Sequence, residues 1–126
     1  MVETTYNTII SEEFKSSCRQ IMGLAMPIAV CKEFAEALKE IHHLQAEFDT
    51  ERIKLLSTHG KRAENGDILI EGGNYVLKEG SQETYQKAYT ALVTKKVKIP
   101  SIDASKLGDI SLPPTVLAPL LGTLLV

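Results

Sequence analysis

Apolar residues recur every three or four positions in the first half of the chain, and this spacing predicts a long central helix. Pro27 suits the first turn of a helix, where its missing N–H group costs nothing. No proline or glycine follows before Thr58, and Gly60 is a natural stop. The positions at heptad spacing are Cys31, Phe34, Leu38, Ile41, Gln45, Phe48, Arg52 and Leu55.

The predicted central helix is long for a chain of 126 residues. At a rise of 1.5 Å per residue it extends over roughly 45–50 Å, which exceeds the diameter of a domain of this size. Part of it is therefore expected to project or to meet another subunit. Gln45 and Arg52 interrupt the apolar seam in its outer half. Either this half faces solvent or a shallow groove, or the two polar residues fix the register of an oligomer.

Shorter elements are predicted on both sides of the central helix. Ser11 can cap a helix that ends at Gly23, and residues 1–10 are interpreted as an N-terminal arm or a short strand. A turn at Asn65-Gly66 and a second turn at Gly72-Gly73 indicate a hairpin of two short strands.

A further helix and strand are predicted after the hairpin. Ser81 is predicted to cap a helix that runs to about Thr94. Val97 and Ile99 alternate with lysines, which is typical of an edge strand, and Pro100 stops this strand. The strand can add to the hairpin and make a three-stranded sheet.

The C-terminal segment, residues 110–126, carries no charged side chain. It is predicted to form an apolar helix or an extended tail after Pro113-Pro114. One interpretation is that the segment folds back and completes the core. The other is that it inserts into a neighbouring subunit or a partner, as an amphipathic helix does in a groove.

These elements predict a single α+β domain over residues 1–126, dominated by helices. An exposed apolar surface usually marks an interaction site. The seam and the tail are therefore assigned to a protein interface formed by Phe34, Leu38, Ile41, Gln45, Phe48, Arg52, Leu55, Leu117, Leu120, Leu121 and Leu124.

Composition disfavours several other classes of partner. The net charge is -2, and Lys95, Lys96 and Lys98 are the nearest approach to a basic cluster, so nucleic-acid binding is disfavoured. No segment is long and apolar enough to span a membrane.

Cys18 and Cys31 both fall on apolar faces of predicted helices. They are expected to be buried, reduced thiols of a cytoplasmic protein.

Motifs that carry catalysis or cofactors are missing from the sequence. His42 and His43 are adjacent, so on a helix they point about 100° apart and do not share one metal ion easily. There is no C-x-x-C, H-E-x-x-H or G-x-S-x-G motif, and no glycine-rich phosphate loop. The sequence therefore predicts no catalytic, cofactor or metal site, and a protein that is not an enzyme.

The order of short sequence patterns is similar to that of a known group of proteins. The patterns are Asn65-Gly66-Asp67, Gly73-Asn74-Tyr75, the helix of residues 81–88, the Val-Lys-Ile-Pro strand and the closing Leu-Pro-Pro segment. Over residues 27–125 the chain resembles small proteins of tailed bacteriophages and prophages, often encoded among structural genes.

This resemblance implies a phage protein in the host cytoplasm or in the virion, with no catalytic residues to transfer. The expected function is structural or associated with virion assembly, through self-association into a homo-oligomer and binding to other proteins. The alternative is an inhibitor that binds and blocks a host protein of defence or nucleic-acid metabolism.

Overall fold

The computed structural model of the chain describes residues 1–108 and 110–126. It confirms the predicted α+β class, dominated by helices, with one long central helix and a short antiparallel hairpin. In chain order the elements are β1 (Val2–Thr5), α1 (Tyr6–Ile9), α2 (Glu12–Met22), α3 (Ile28–His59), β2 (Ile70–Glu71), β3 (Asn74–Tyr75), α4 (Gln82–Val93), β4 (Lys96–Ile99), a 3-10 helix (Ala104–Leu107) and α5 (Pro114–Leu117).

Two compact units are formed along the chain. The first unit consists of Met1–Gln45 and Lys96–Val126, and the second consists of Ala46–Lys95. The division falls inside α3. The first unit therefore combines the two ends of the chain, whereas the second is a continuous segment.

Helix ends follow the local signals in the sequence. The N–H of Phe14 donates to the Ser11 hydroxyl at 3.2 Å, and Gly23 follows the last residue of α2. The central helix begins and ends within one residue of its predicted limits. At the start of α4, by contrast, Ser81 has helical backbone angles (φ −92°, ψ −12°) and its side chain makes no capping hydrogen bond within the described chain.

The first unit contains an antiparallel pair of β1 and β4, with Val2 opposite Ile99 and Thr4 opposite Val97. Val2–Thr5 thus form a short strand, one of the two options predicted for residues 1–10, whereas Tyr6–Ile9 form one helical turn, α1, which neither option predicted. The three-stranded sheet is wrong, because β4 pairs with β1 and the hairpin strands pair only with each other among the described strands. The lysine alternation identifies an edge strand, but it does not specify the strand's partner.

Aliphatic side chains from both ends of the chain make the core of the first unit. Its fully enclosed members include Ile9, Phe14, Ile21, Ile41, Ile99, Val116, Leu120, Leu124 and Leu125. The C-terminal residues are tied to this unit by the backbone as well. The N–H of Ile102 donates to the Leu124 carbonyl at 2.7 Å, and the N–H of Val126 donates to the Ile102 carbonyl at 3.0 Å.

The predicted C-terminal helix is much shorter than the sequence indicates. Only one turn, α5, is helical, and Gly122 then adopts a positive φ of 79°, which takes the backbone out of a helical path. The chain closes in a turn where the N–H of Leu125 donates to the Leu120 carbonyl at 2.9 Å. The segment therefore folds back into the core, as the first of the two interpretations predicts.

The second unit is built around three backbone segments that bond to one another. The N–H of Lys61 donates to the Val76 carbonyl, that of Val76 to Leu69, and that of Leu69 to Lys61, at 2.7–2.9 Å. The segment after α3 thus braces the hairpin, whose strands of two residues are too short to be stable alone. Phe48 and Tyr89 of the same unit make an edge-to-face contact.

We expect Gly60→Ala to destabilise the second unit. A Cβ atom at residue 60 would clash with the Leu56 carbonyl oxygen and lie 2.9 Å from the Ile68 side chain, so the backbone must shift. Overpacking of this kind costs about 1–3 kcal/mol. Urea unfolding measures the loss, and hydrogen exchange should show it first at the amides of Lys61 and Leu69.

Gly23→Ala is the matched control. The new Cβ would meet only the Gln20 carbonyl oxygen, at an ordinary 3.5 Å, and φ at residue 23 is −83°. Equal stability of the two alanine variants would contradict the close approach inferred at Gly60.

Candidate protein-binding surface

The part of the predicted seam that lies in the first unit is buried by its own chain. Phe34, Leu38 and Ile41 are each less than 5% exposed. A side chain this enclosed offers no surface to a second molecule, so these three residues belong to the core rather than to an interface. Gln45 is half-buried, and its side-chain amide donates to the Ile9 carbonyl at 2.6 Å. This hydrogen bond within one chain explains why residue 45 is polar, and no oligomer is needed to explain it.

The seam residues of the second unit differ in exposure. Phe48 is buried and packs on Tyr89, so it too belongs to the core. Leu55 and Arg52 are half-buried, and the Arg52 guanidinium lies 3.7 Å from the Asp49 carboxylate. That Leu55 and Arg52 contact a protein partner stays a prediction.

The predicted interface residues of the tail also divide into two groups. Leu120 and Leu124 are fully buried and complete the core of the first unit. Leu117 is half-buried, and Leu121 is 51% exposed. Leu121 is therefore the residue of the predicted interface that is most open to a partner.

The two cysteines occupy different environments, contrary to the prediction that both are buried. Cys18 is buried in α2, and burial raises the pKa of its thiol from 9.0 to about 11. The positive charge of Arg19 lowers this pKa, but its effect is smaller than that of burial. Cys31 is exposed near the start of α3, and its thiol donates to the Met26 carbonyl at 3.4 Å. Cys31 lies at the edge of the apolar seam. The helical spacing is therefore compatible with either a buried or an exposed side chain at this position.

An apolar corner joins α2 to α3 in the first unit. We use the name apolar corner for residues 21–31, a run of eleven positions without a charged side chain. Ile28 is 87% exposed and Met22 is 60% exposed. Turns between helices are usually polar because they face water. The concentration of exposed apolar side chains here therefore distinguishes this turn as a candidate binding surface.

A small cleft of about 130 Å³ opens within the apolar corner. Its floor includes the buried Phe34 and Leu38, and Met22 and Cys31 stand at its exposed side. The complete lining is apolar and consists of Ile21, Met22, Leu24, Met26, Cys31, Phe34, Ala35 and Leu38.

The dimensions and lining of the cleft define what it can bind. A dry cavity of about 150 Å³ with an apolar lining accepts a molecule the size of benzene. The cleft is therefore suited to one aliphatic or aromatic side chain, and its lining offers a ligand no charged side chain. The methionines in the lining are flexible and polarisable, which suits a surface that adapts to a protein partner.

A second concavity in the first unit is larger, and charged side chains predominate among its lining residues. It has a volume of about 580 Å³ and lies between α3 and β4. Its lining contains side chains of both charges, namely Glu36, Lys39, Glu40 and Lys98, together with His43 and Leu44.

Among residues 1–108 and 110–126, no group of three or more His, Cys, Asp or Glu side chains could hold a metal ion. No helix in this described part is long and apolar enough to cross a membrane.

No protein-family model, no curated protein and no solved structure matches the chain. The sequence did contain a signal for the apolar corner, namely its eleven uncharged residues. The helical period did not reveal it, because the run is divided between the end of one helix, a turn and the start of the next.

Thiol labelling at pH 8 should distinguish the two cysteines. A pKa raised from 9.0 to about 11 lowers the thiolate fraction of Cys18 by about 100-fold, and burial also blocks the reagent. We expect Ellman's reagent, used on protein dilute enough that no partner covers Cys31, to label one thiol per native chain and two in urea. The variant Cys31→Ser should leave the native protein unlabelled, whereas rapid native labelling of that variant would contradict the burial of Cys18.

The same pKa shift gives the sign of a pH dependence. Folding favours the protonated thiol of Cys18, so its contribution to stability is complete below pH 9 and decreases as the pH rises towards 11. Unfolding in urea at pH 8, 9 and 10 should show this decrease. The variant Cys18→Ala should show a smaller decrease across the same pH range.

Replacing Gln45 tests whether its polarity serves the fold or an oligomer. Gln45→Met keeps the shape of the side chain but leaves the carbonyl of the buried Ile9 without its donor. Loss of a buried partner costs about 1–3 kcal/mol, which urea unfolding measures. Gln86→Met, at an exposed position of α4, is the control. A change in the oligomeric state with unchanged stability would contradict the assignment to the fold.

Proposed function

We propose that this chain is a non-catalytic protein that acts by binding other protein surfaces, and that the apolar corner is its main binding surface. The observation that carries the proposal is the cleft of about 130 Å³ with its apolar lining, beside the almost fully exposed side chain of Ile28. Water must cover this surface in the isolated chain. A protein partner would remove that unfavourable contact.

The hydrophobic effect gives the contact a useful strength. Full burial of one large aliphatic side chain is worth about 1.5–3 kcal/mol relative to exposure. Ile28 and Met22 are both exposed, and a partner side chain in the cleft would add a similar amount. A few such anchors, with apolar neighbours that exclude water, dominate the binding energy of typical protein interfaces.

The cellular setting of this proposal comes from the resemblance to phage proteins. We propose a structural or assembly-associated protein of a phage, acting in the host cytoplasm or in the virion. Mass spectrometry of purified particles tests the setting, and recovery of the chain at a stoichiometric level is the expected result. Complete absence from particles, with a stable complex between the chain and a host protein, would favour an inhibitor instead.

Site-specific photo-crosslinking tests the binding surface. An aliphatic residue that carries a diazirine and is close to isoleucine in size, incorporated at residue 28, should give discrete crosslinked species in cells that make the protein, because a partner covers this position. The same group at Ile53, which is 52% exposed in the second unit, is the matched control. Excess wild-type protein should compete with the crosslink at residue 28, whereas the variant Ile28→Asp should not.

Equal crosslinking at residues 28 and 53, or none at either, would contradict the proposal. The Asp variant also serves as a check on folding. Because Ile28 is 87% exposed, the substitution should leave the thermal unfolding temperature within about 1–2 °C of wild type.

A further inference from the structure

We propose that the occupant of the apolar corner is the apolar corner of a second copy of this chain, with Ile28 of each copy seated in the cleft of the other. This inference rests on the proposed function and adds the identity of the partner and the geometry of the contact. Three properties of the surface support a second copy: an exposed side chain beside a matching cleft, the size of that cleft, and the absence of charge.

The exposed side chain belongs to the same stretch of chain that lines the cleft. Ile28 has the largest exposed fraction among the large apolar residues described, and Cys31, one helical turn later, lines the cleft. Met26, two residues before Ile28, lines it as well. A twofold interface uses the same patch on both subunits, so the patch must complement itself. A protruding group beside a cavity meets that requirement.

The cleft has the volume for the side chain that it would receive. An apolar cavity of about 150 Å³ accepts the six carbon atoms of benzene, and the isoleucine side chain has four. The cleft of about 130 Å³ therefore accommodates Ile28 of a second copy. Phe34 and Leu38, which form the floor, are held in the core of the first unit, so the cavity does not have to be created on binding.

The charge pattern is compatible with a twofold axis. Such an axis places each group close to its own copy, and a like charge near the axis would be repelled. Residues 21–31 contain no charged side chain. The charges at the two ends of this run are of both signs. Arg19 on α2 lies 3.7 Å from the Glu12 carboxylate. On α3, Lys32 is followed by Glu33, whose carboxylate lies 2.7 Å from the Lys106 ammonium.

Sedimentation equilibrium at 1–500 µM tests for the second copy. The wild-type chain should approach twice its mass of 13.9 kDa, and Ile28→Asp should remain at the mass of one chain, with the dimer weakened by about 100-fold or more. Ile70→Asp changes a side chain of comparable exposure in the second unit, and it should leave the dimer intact. Circular dichroism checks that each variant is folded.

A pair of complementary variants tests the geometry itself. Ile28→Ala removes the protruding group, and Ala35→Phe, at an exposed residue of the lining, fills the cleft. Each variant alone should lose the dimer. A mixture should form a heterodimer more tightly than either homodimer, by about 10-fold, because one intact side chain still meets one open cleft. Contact between the two corners without insertion predicts no such preference.

The outcomes separate this inference from the proposed function. A wild-type chain that stays monomeric at 500 µM overturns the second copy, and a competed crosslink at residue 28 to a different protein would then still support the proposed function. A dimer that survives Ile28→Asp but is lost in Ile70→Asp overturns the inference and places self-association in the second unit. Monomers together with no crosslink at residue 28 overturn both.

Discussion

Burial of aliphatic side chains from both ends of the chain is the interaction on which the first unit depends. Only 6% of the residues are aromatic, so the core rests on residues such as Ile9, Ile41, Ile99 and Leu120. These residues are far apart in sequence, and bringing them together costs conformational entropy. The pairing of β1 with β4 and the bonding of residue 102 to the C-terminal residues fix the ends in the register that buries them.

The second unit is stabilised in a more local way. It is one continuous segment, and its three backbone segments bond to one another around Lys61, Leu69 and Val76. This arrangement requires a close backbone approach at Gly60, where no side chain fits. Stacked Tyr85 and Tyr89, together with Phe48, supply the apolar contacts beside it. Hydrogen bonding and aromatic packing thus replace the extensive aliphatic core of the first unit.

The apolar corner connects the core of the first unit to its surface. Phe34 and Leu38 serve both as core residues and as the floor of the cleft, so the forces that stabilise the unit also shape the candidate site. Ile28 contributes little to the core because it is almost fully exposed. A binding surface built in this way is pre-organised, and partner contacts there do not compete with folding.

The sequence by itself determined the ends of α2, α3 and α4, the long central helix, the hairpin and the edge strand, but it did not reveal α1 or the early end of α5. Capping residues, helical spacing, prolines and glycines act within a few residues, so their effect can be read locally. Only the tertiary structure decided that β4 pairs with β1, that the tail is mostly not helical, and that Leu120 and Leu124 are core residues. It also decided that Cys31 and Ile28 face outward at the apolar corner. The spacing of apolar residues shows which positions can share a face, but long-range packing determines which face is covered.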